Sequence, residues 1–151
     1  MDYEMISCGV AGQENQIPEG TKEKISGAIR ELFKDGYRRF CVALTGAAAL
    51  TFAEEMLTMR EQYPDAGMDV LIPFDGWIEE QADSARYKQI TAQAESVNHS
   101  CEEEYEDSTE ICSRQLIGFG RCTVVIGGGD TMQEFVEETR DTEQEVREVL
   151  I

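Results

Sequence analysis

Cations are scarce in this chain of 151 residues, and so are the residue patterns that mark zinc binding, secretion and membrane insertion. Thirteen Lys and Arg stand against 31 Asp and Glu, a formal net charge of −18. A groove tracking a phosphate backbone would work against that field, so nucleic acid is not an expected partner. One small anion is a different matter, because backbone amides at a helix start hold phosphate locally. Histidine occurs once, as His99. The five cysteines, Cys8, Cys41, Cys101, Cys112 and Cys122, are odd in number and lack a C-x-x-C pair. Neither a zinc site nor a disulfide framework is expected, and the thiols read as small buried hydrophobes in a reducing compartment. No apolar run approaches the roughly 20 residues that span a bilayer. Met1-Asp2-Tyr3-Glu4 has neither the basic segment nor the apolar core of a leader. The expectation is a cytoplasmic protein without membrane partner, metal or cofactor. With only three prolines, no linker and no repeat, the chain reads as one domain over residues 1–151, large enough to bury its own core.

What the sequence does contain is short apolar runs alternating with amphipathic stretches, the pattern of an α/β fold. A first run at residues 5–10 leads into a polar loop with Gly12, Gln13, Asn15 and Pro18. Ile25, Ala28, Ile29, Leu32 and Phe33 then recur at helical spacing. Asp35-Gly36 ends that helix, with glycine as the left-handed residue. Residues 40–44 form a continuous apolar run with a β-branched centre, as buried parallel strands do. Leu50, Ala53, Met56 and Leu57 predict a second helix that stops before Tyr63-Pro64-Asp65. Residues 68–72 predict a strand, broken by Pro73-Phe74-Asp75-Gly76, with Trp77 in the loop. Beyond it come a helix over residues 83–94, a short strand at 95–97, and a helix entered from the acidic stretch 102–107 that takes in Tyr105, Ile111, Cys112 and Leu116. A strand at 122–126, a helix with Met132, Phe135, Val136 and Thr139, and an edge strand at 148–151 complete the reading. Right-handed crossovers would put these helices on both faces of a mainly parallel, doubly wound sheet.

Ligands bind such sheets beyond the carboxyl ends of the strands, which singles out three turns: Gly12-Gln13, Thr45-Gly46 and residues 127–131. Gly127-Gly128-Gly129-Asp130-Thr131 is the sharpest of these. Its glycines allow a ligand near the backbone and its helix start offers free amides for phosphate. Alternatively Asp130 or Thr131 caps the helix, with Gln133 or Glu134 completing a capping box. A carboxylate at Asp130 repels phosphate but accepts ribose hydroxyls. Thr45-Gly46, followed by three alanines, either admits a ligand or packs a helix tightly on the sheet. Arg114 either meets a ligand phosphate or pairs with Glu110 one turn back. Glu54 faces the cleft or solvent, Trp77 stacks on a base or forms a hydrophobic lid, and His99 with Cys101 is weak as a nucleophile pair. The glutamates from Glu134 onward read as a solvated face.

Asp35-Gly36-Tyr37-Arg38-Arg39-Phe40, Ala53-Glu54, Arg60-Glu61-Gln62-Tyr63-Pro64-Asp65 and Ile72-Pro73-Phe74 resemble the YpsA-like branch of the SLOG superfamily, Rossmann-like proteins related to the lysine-decarboxylase-like group. Trp77, Arg86-Tyr87, Ile90, Ser100, Tyr105, Arg114, the strand at 123–126 and a Gly-Gly turn follow in the order that branch uses. The resemblance implies a Rossmann-like fold and a nucleotide or nucleotide-derived ligand, bound in a sensor or carrier role by Gly12, Gln13, Thr45, Gly46, Arg114, Gly127, Gly128, Gly129, Asp130 and Thr131. It departs from the branch where ligands are held. The Thr-Gly-His-Arg loop is Val10-Ala11-Gly12-Gln13 here. An ungapped match puts Val42-Ala43, Ala47 and Ala49 at the Ser-Gly, Gly and Asp positions of the second turn. Gln115 replaces an Asn, and Thr123 an Asp. Base-hydrolysing relatives carry Gly-Gly-x-Gly-Thr-x-x-Glu with a catalytic Glu; this chain has Asp130 in place of the third glycine, and Glu134 at the acid. Three functions follow as expectations: binding of a nucleotide-like ligand, a protein-interaction module or homo-oligomer that has lost its ligand, and a nucleoside-monophosphate phosphoribohydrolase using Glu134.

Overall fold

The computed structural model describes residues 6–151, so Met5, expected to open the first strand, lies outside the described residues, as does Met1-Asp2-Tyr3-Glu4. The elements are β1 (Ser7–Ala11), α1 (Thr21–Lys34), β2 (Arg39–Ala43), α2 (Ala47–Met59), β3 (Gly67–Phe74), α3 (Ser84–Gln93), β4 (Ser96–Cys101), α4 (Ser108–Arg114), β5 (Cys122–Gly127), α5 (Asp130–Arg140) and β6 (Glu145–Leu150). All strand pairs are parallel, and the sheet order is β4-β3-β2-β1-β5-β6. This is a Rossmann-like α/β fold.

The two-residue period of the strands sorts the core into two layers. Val10, Phe40, Val42, Val70, Val124 and Ile126 pack with Ile25, Ile29 and Leu32 of α1, Phe52 and Met56 of α2 and Ile90 of α3. The alternate residues Ala11, Ala43 and Val125 pack on the opposite face with Cys112 of α4 and Met132, Phe135 and Val136 of α5. The helices therefore lie on both faces.

α1 ends as its sequence demands. Gly36 has φ of 97°, Tyr37 N–H donates to Leu32 O (3.0 Å) and Gly36 N–H to Phe33 O (3.1 Å), the paired bonds of a Schellman motif. The next residue, Arg38, lays its guanidinium 4.8 Å from the centre of the Tyr63 ring and pairs with Asp65 at 3.3 Å. Tyr63 in turn stacks on Phe33 with ring centres 4.3 Å apart. The segments around Asp35-Gly36 and Tyr63-Pro64-Asp65 thus fasten the amino ends of β2 and β3.

Four expected boundaries are corrected. β3 is not broken at Pro73-Phe74. Gly67 N–H donates to Arg38 O and Leu44 N–H to Leu71 O, so the odd-numbered residues of β3 face β2. The missing N–H of Pro73 therefore points past the end of β2, where no ladder bond is lost, and Phe74 still pairs with Cys101. β4 runs to Cys101 rather than stopping at 97. Tyr105 and Leu116 fall outside α4, and β6 begins at Glu145, three residues before its expected start.

Candidate functional site

β2, β3 and β4 extend from one side of β1, whereas β5 and β6 extend from the other. The connections leaving β1 and β5 therefore diverge, and a crevice opens between their carboxyl ends. A cavity of about 310 Å³ occupies it, walled by Gly12, Gln13 and Glu14 after β1, by Gly128, Asp130 and Thr131 at the start of α5, and by Glu110, Ser113 and Arg114 of α4. Val125, Ile126, Met132 and Phe135 give it an apolar side. A shallower hollow of about 580 Å³ adjoins it, sharing Gln13, Glu110 and Thr131 and adding Glu106, Asp107 and Thr109.

The first wall is fixed by contacts across the fold. The Nε2 group of Gln13 donates to Ser113 Oγ (2.9 Å), tying the loop after β1 to α4. A Cβ on Gly12 would sit 3.1 Å from that of Ile126 and 3.2 Å from that of Ala48, so glycine lets this loop pass between β5 and α2. The second wall is shaped by Gly129, with φ of 89° and ψ of −175°, a conformation essentially confined to glycine. No side chain caps α5. Asp130 and Thr131 are its first two residues and line the cavity, so the capping alternative for this turn is not what the fold adopts.

The remaining turn is sealed. Ala48 N–H donates to Glu14 O (3.0 Å) and Ala49 N–H to Gly12 O (3.3 Å), which uses amides at the start of α2 on the loop after β1. A Cβ on Gly46 would lie 2.5 Å from the Gln13 carbonyl oxygen. Thr45 is buried, and neither Thr45 nor Gly46 lines the cavity. The structure therefore brings Gly12, Gln13, Arg114, Gly128, Asp130 and Thr131 together. Gly127 and Gly129 shape the turn without forming its wall, and Thr45 and Gly46 stand apart.

Carboxylates dominate the charge of the crevice. Arg114 donates to Glu110 (2.8 Å) and to Glu138, and these bonds raise its pKa above the ordinary guanidinium value. Its charge is already matched within the protein. Glu14, Glu110 and Asp130 remain around the same cavity. Glu134 is exposed on α5 and lies outside the lining. Glu54 pairs with Arg86 instead of facing the cleft. Trp77 is buried edge-on against Tyr87, with ring centres 5.1 Å apart, which leaves it as a hydrophobic lid. His99 is exposed and Cys101 buried on the edge strand β4. Among the described residues no three His, Cys, Asp or Glu side chains are grouped to hold a metal ion, and no helix is long and apolar enough to cross a membrane. Burial pushes the Cys41 and Cys112 thiols up to about 12.

Glu14, Ser113 and Glu138 were not among the residues expected at the site. Gln13 and Ser113 are 100 residues apart, and no local pattern links them. Glu138 lay within a stretch that reads as a solvated face.

No family model matches the chain. A curated lipoyl synthase of Chlorobium phaeovibrioides (strain DSM 265 / 1930) is similar to it, 29% identical over 150 residues. That similarity takes in 89% of this chain and 53% of the relative, so the chain spans about half that protein's length.

Proposed function

We propose that the crevice between β1 and β5 binds a small nucleotide-derived molecule with few phosphate charges, in a sensor or carrier role. The observation that carries the reading is a cavity of about 310 Å³ at the point where the strand order reverses, within the range of about 300–1,000 Å³ that small-ligand pockets occupy. The open start of α5 supplies backbone amides, and its dipole favours one phosphate group there. Asp130 and Glu110 accept hydroxyls such as those of a ribose. Their charge, added to that of Glu14, weighs against a triphosphate. Glu134 stands away from the cavity, so the reading includes binding without a hydrolytic acid. The likeness to SLOG proteins of the YpsA-like branch supports the same ligand class, whereas the partial similarity to a lipoyl synthase adds no residue to this site.

The test is a thermal-shift screen against adenosine, AMP, ATP, ADP-ribose, NAD and cyclic nucleotides, with hits confirmed by calorimetry and checked for turnover. AMP or ADP-ribose should stabilise the fold more than ATP. A second reading, an interaction module that has lost its ligand, is favoured by the sealed start of α2 and by the compensated charge of Arg114. Silence across the panel from folded protein selects it.

A further inference from the structure

The two edges of the sheet are finished differently. β6 carries Glu145, Arg147 and Glu148, charges of the kind that discourage an edge strand from pairing. β4, the opposite edge, reads Ser96-Val97-Asn98-His99-Ser100-Cys101 and has no charged residue. Its first four residues are exposed. Val97 is 43% exposed and Tyr105, in the segment that follows, 53%; with Leu150 they are the exposed large hydrophobic residues among those described.

The backbone of β4 is open on its outer side. The even-numbered residues of β3 face β4, because the odd-numbered ones bond β2. Val70 stands opposite Val97, so in a parallel ladder it bonds to the flanking residues Ser96 and Asn98. Val97 and His99 consequently turn their N–H and C=O groups outward. Beyond the carboxyl end of the strand, Glu102, Glu103, Glu104, Glu106 and Asp107 are all exposed. Arg39, the cation beside the start of β4, is engaged by Asp69 and Glu95. The surroundings of this uncharged edge are therefore acidic, and a second copy of a chain with net charge −18 meets repulsion there.

We propose that β4 accepts an extended, Lys- or Arg-rich segment of a partner protein as a seventh strand. Main-chain bonds to Val97 and His99 supply the pairing, and side-chain contacts with Val97 and Tyr105 cover the exposed apolar surface. The acidic segment 102–107 selects for cations. The proposal concerns the edge of the sheet and does not depend on the reading of the crevice.

The test uses a fluorescent Lys-Val-Lys-Thr-Lys-Val-Lys peptide, a version with Glu in place of every Lys, and a version with Pro at the central Thr. Fluorescence anisotropy should show saturable binding of the first peptide only. His99→Pro removes an outward N–H without taking a ladder bond from β3, and should weaken binding at least tenfold in a protein that still melts cooperatively. Val97→Lys, a side-chain change at an exposed position, should weaken it similarly, and carries the test if His99→Pro does not fold. Replacing Glu102, Glu103 and Glu104 together by Lys should reverse the preference toward the acidic peptide. Hydrogen exchange of the unaltered protein should slow at Val97 and His99 when the basic peptide is added. Equal binding of the Pro-containing peptide, absence of binding, or binding that survives both His99→Pro and Val97→Lys would overturn the proposal. A homodimer that dissociates on His99→Pro would also overturn it, by assigning the edge to a second copy.

Discussion

The starts of α2 and α5 occupy equivalent places in the fold, each following a strand that borders β1, yet one is closed and the other open. At α2 the loop after β1 presses its carbonyl oxygens onto the Ala48 and Ala49 amides, and Gly46 is the residue that allows the approach. At α5 no side-chain cap is present, and Gly128, Asp130 and Thr131 border a cavity. The same helix-start chemistry thus serves cohesion in one place and remains available to a ligand in the other. Similar turn sequences do not imply similar use; what the neighbouring loop does with the amides decides it.

The comparison breaks most severely at Gly46. Gly46→Val places a Cβ 2.5 Å from the Gln13 carbonyl oxygen, and overpacking against backbone should cost about 3 kcal/mol. A fall in Tm of roughly 6–12 °C is expected by calorimetry. Gly128→Ala, whose Cβ would meet the Ile151 carbonyl oxygen at 3.3 Å, should cost less than about 1 kcal/mol, because a shift of a few tenths of an ångström relieves that single contact. Equal losses would erase the distinction between a sealed and an open helix start.

A ligand readout sharpens the same contrast. Asp130→Asn should weaken nucleotide binding about tenfold or more, the scale of a hydrogen bond to a charged acceptor, with only a small change in the melting of the free protein. Isothermal calorimetry checks this, and unchanged affinity removes Asp130 from the site. Ser113→Ala takes away the nearer acceptor of the Gln13 side chain, leaving it the Thr109 carbonyl oxygen at 3.4 Å, and should cost about 1 kcal/mol, measured by denaturant unfolding. Arg114→Gln should change stability by no more than about 1 kcal/mol, since its ion pairs are exposed to solvent.

The smallest effect below pH 9 is that of the thiols. Cys41 and Cys112 rise from an ordinary 9.0 to about 12 in the fold, so neither state ionises them below about pH 9. Above that the unfolded chain releases protons that the native chain retains, and stability falls between pH 9 and about 12. Double replacement by Ala should flatten that part of the profile, as read by urea unfolding across pH.

Most of the fold was legible because it rests on local signals. The helical spacing of Ile25, Ile29 and Leu32 and the glycine stop at Gly36 reappear directly in α1, and the continuous apolar run at 40–44 overlaps β2. The site was legible only in part. Glycine at 127–129 announces a special backbone, but that Asp130 lines a cavity while Thr45 is buried depends on how the loop after β1 packs. That packing links Gln13 to Ser113, a contact no local pattern encodes. The continuity of β3 through Pro73 was hidden for a related reason, since it depends on where the neighbouring strand ends. Of the segments read as similar to the YpsA-like branch, those around Gly36 and Tyr63 fasten the amino ends of β2 and β3, opposite the crevice, whereas Arg114 and the Gly-Gly turn stand at it.

The most direct test is a proton–nitrogen correlation spectrum of labelled protein titrated with AMP. The expected result is saturable shifts at the amides of Gly12, Gln13, Gly128, Asp130 and Thr131, while Ala48 and Ala49 stay in place. Shifts centred on Ala48 and Ala49, or none at the start of α5 at millimolar AMP, would contradict the assignment of the open crevice as the binding site.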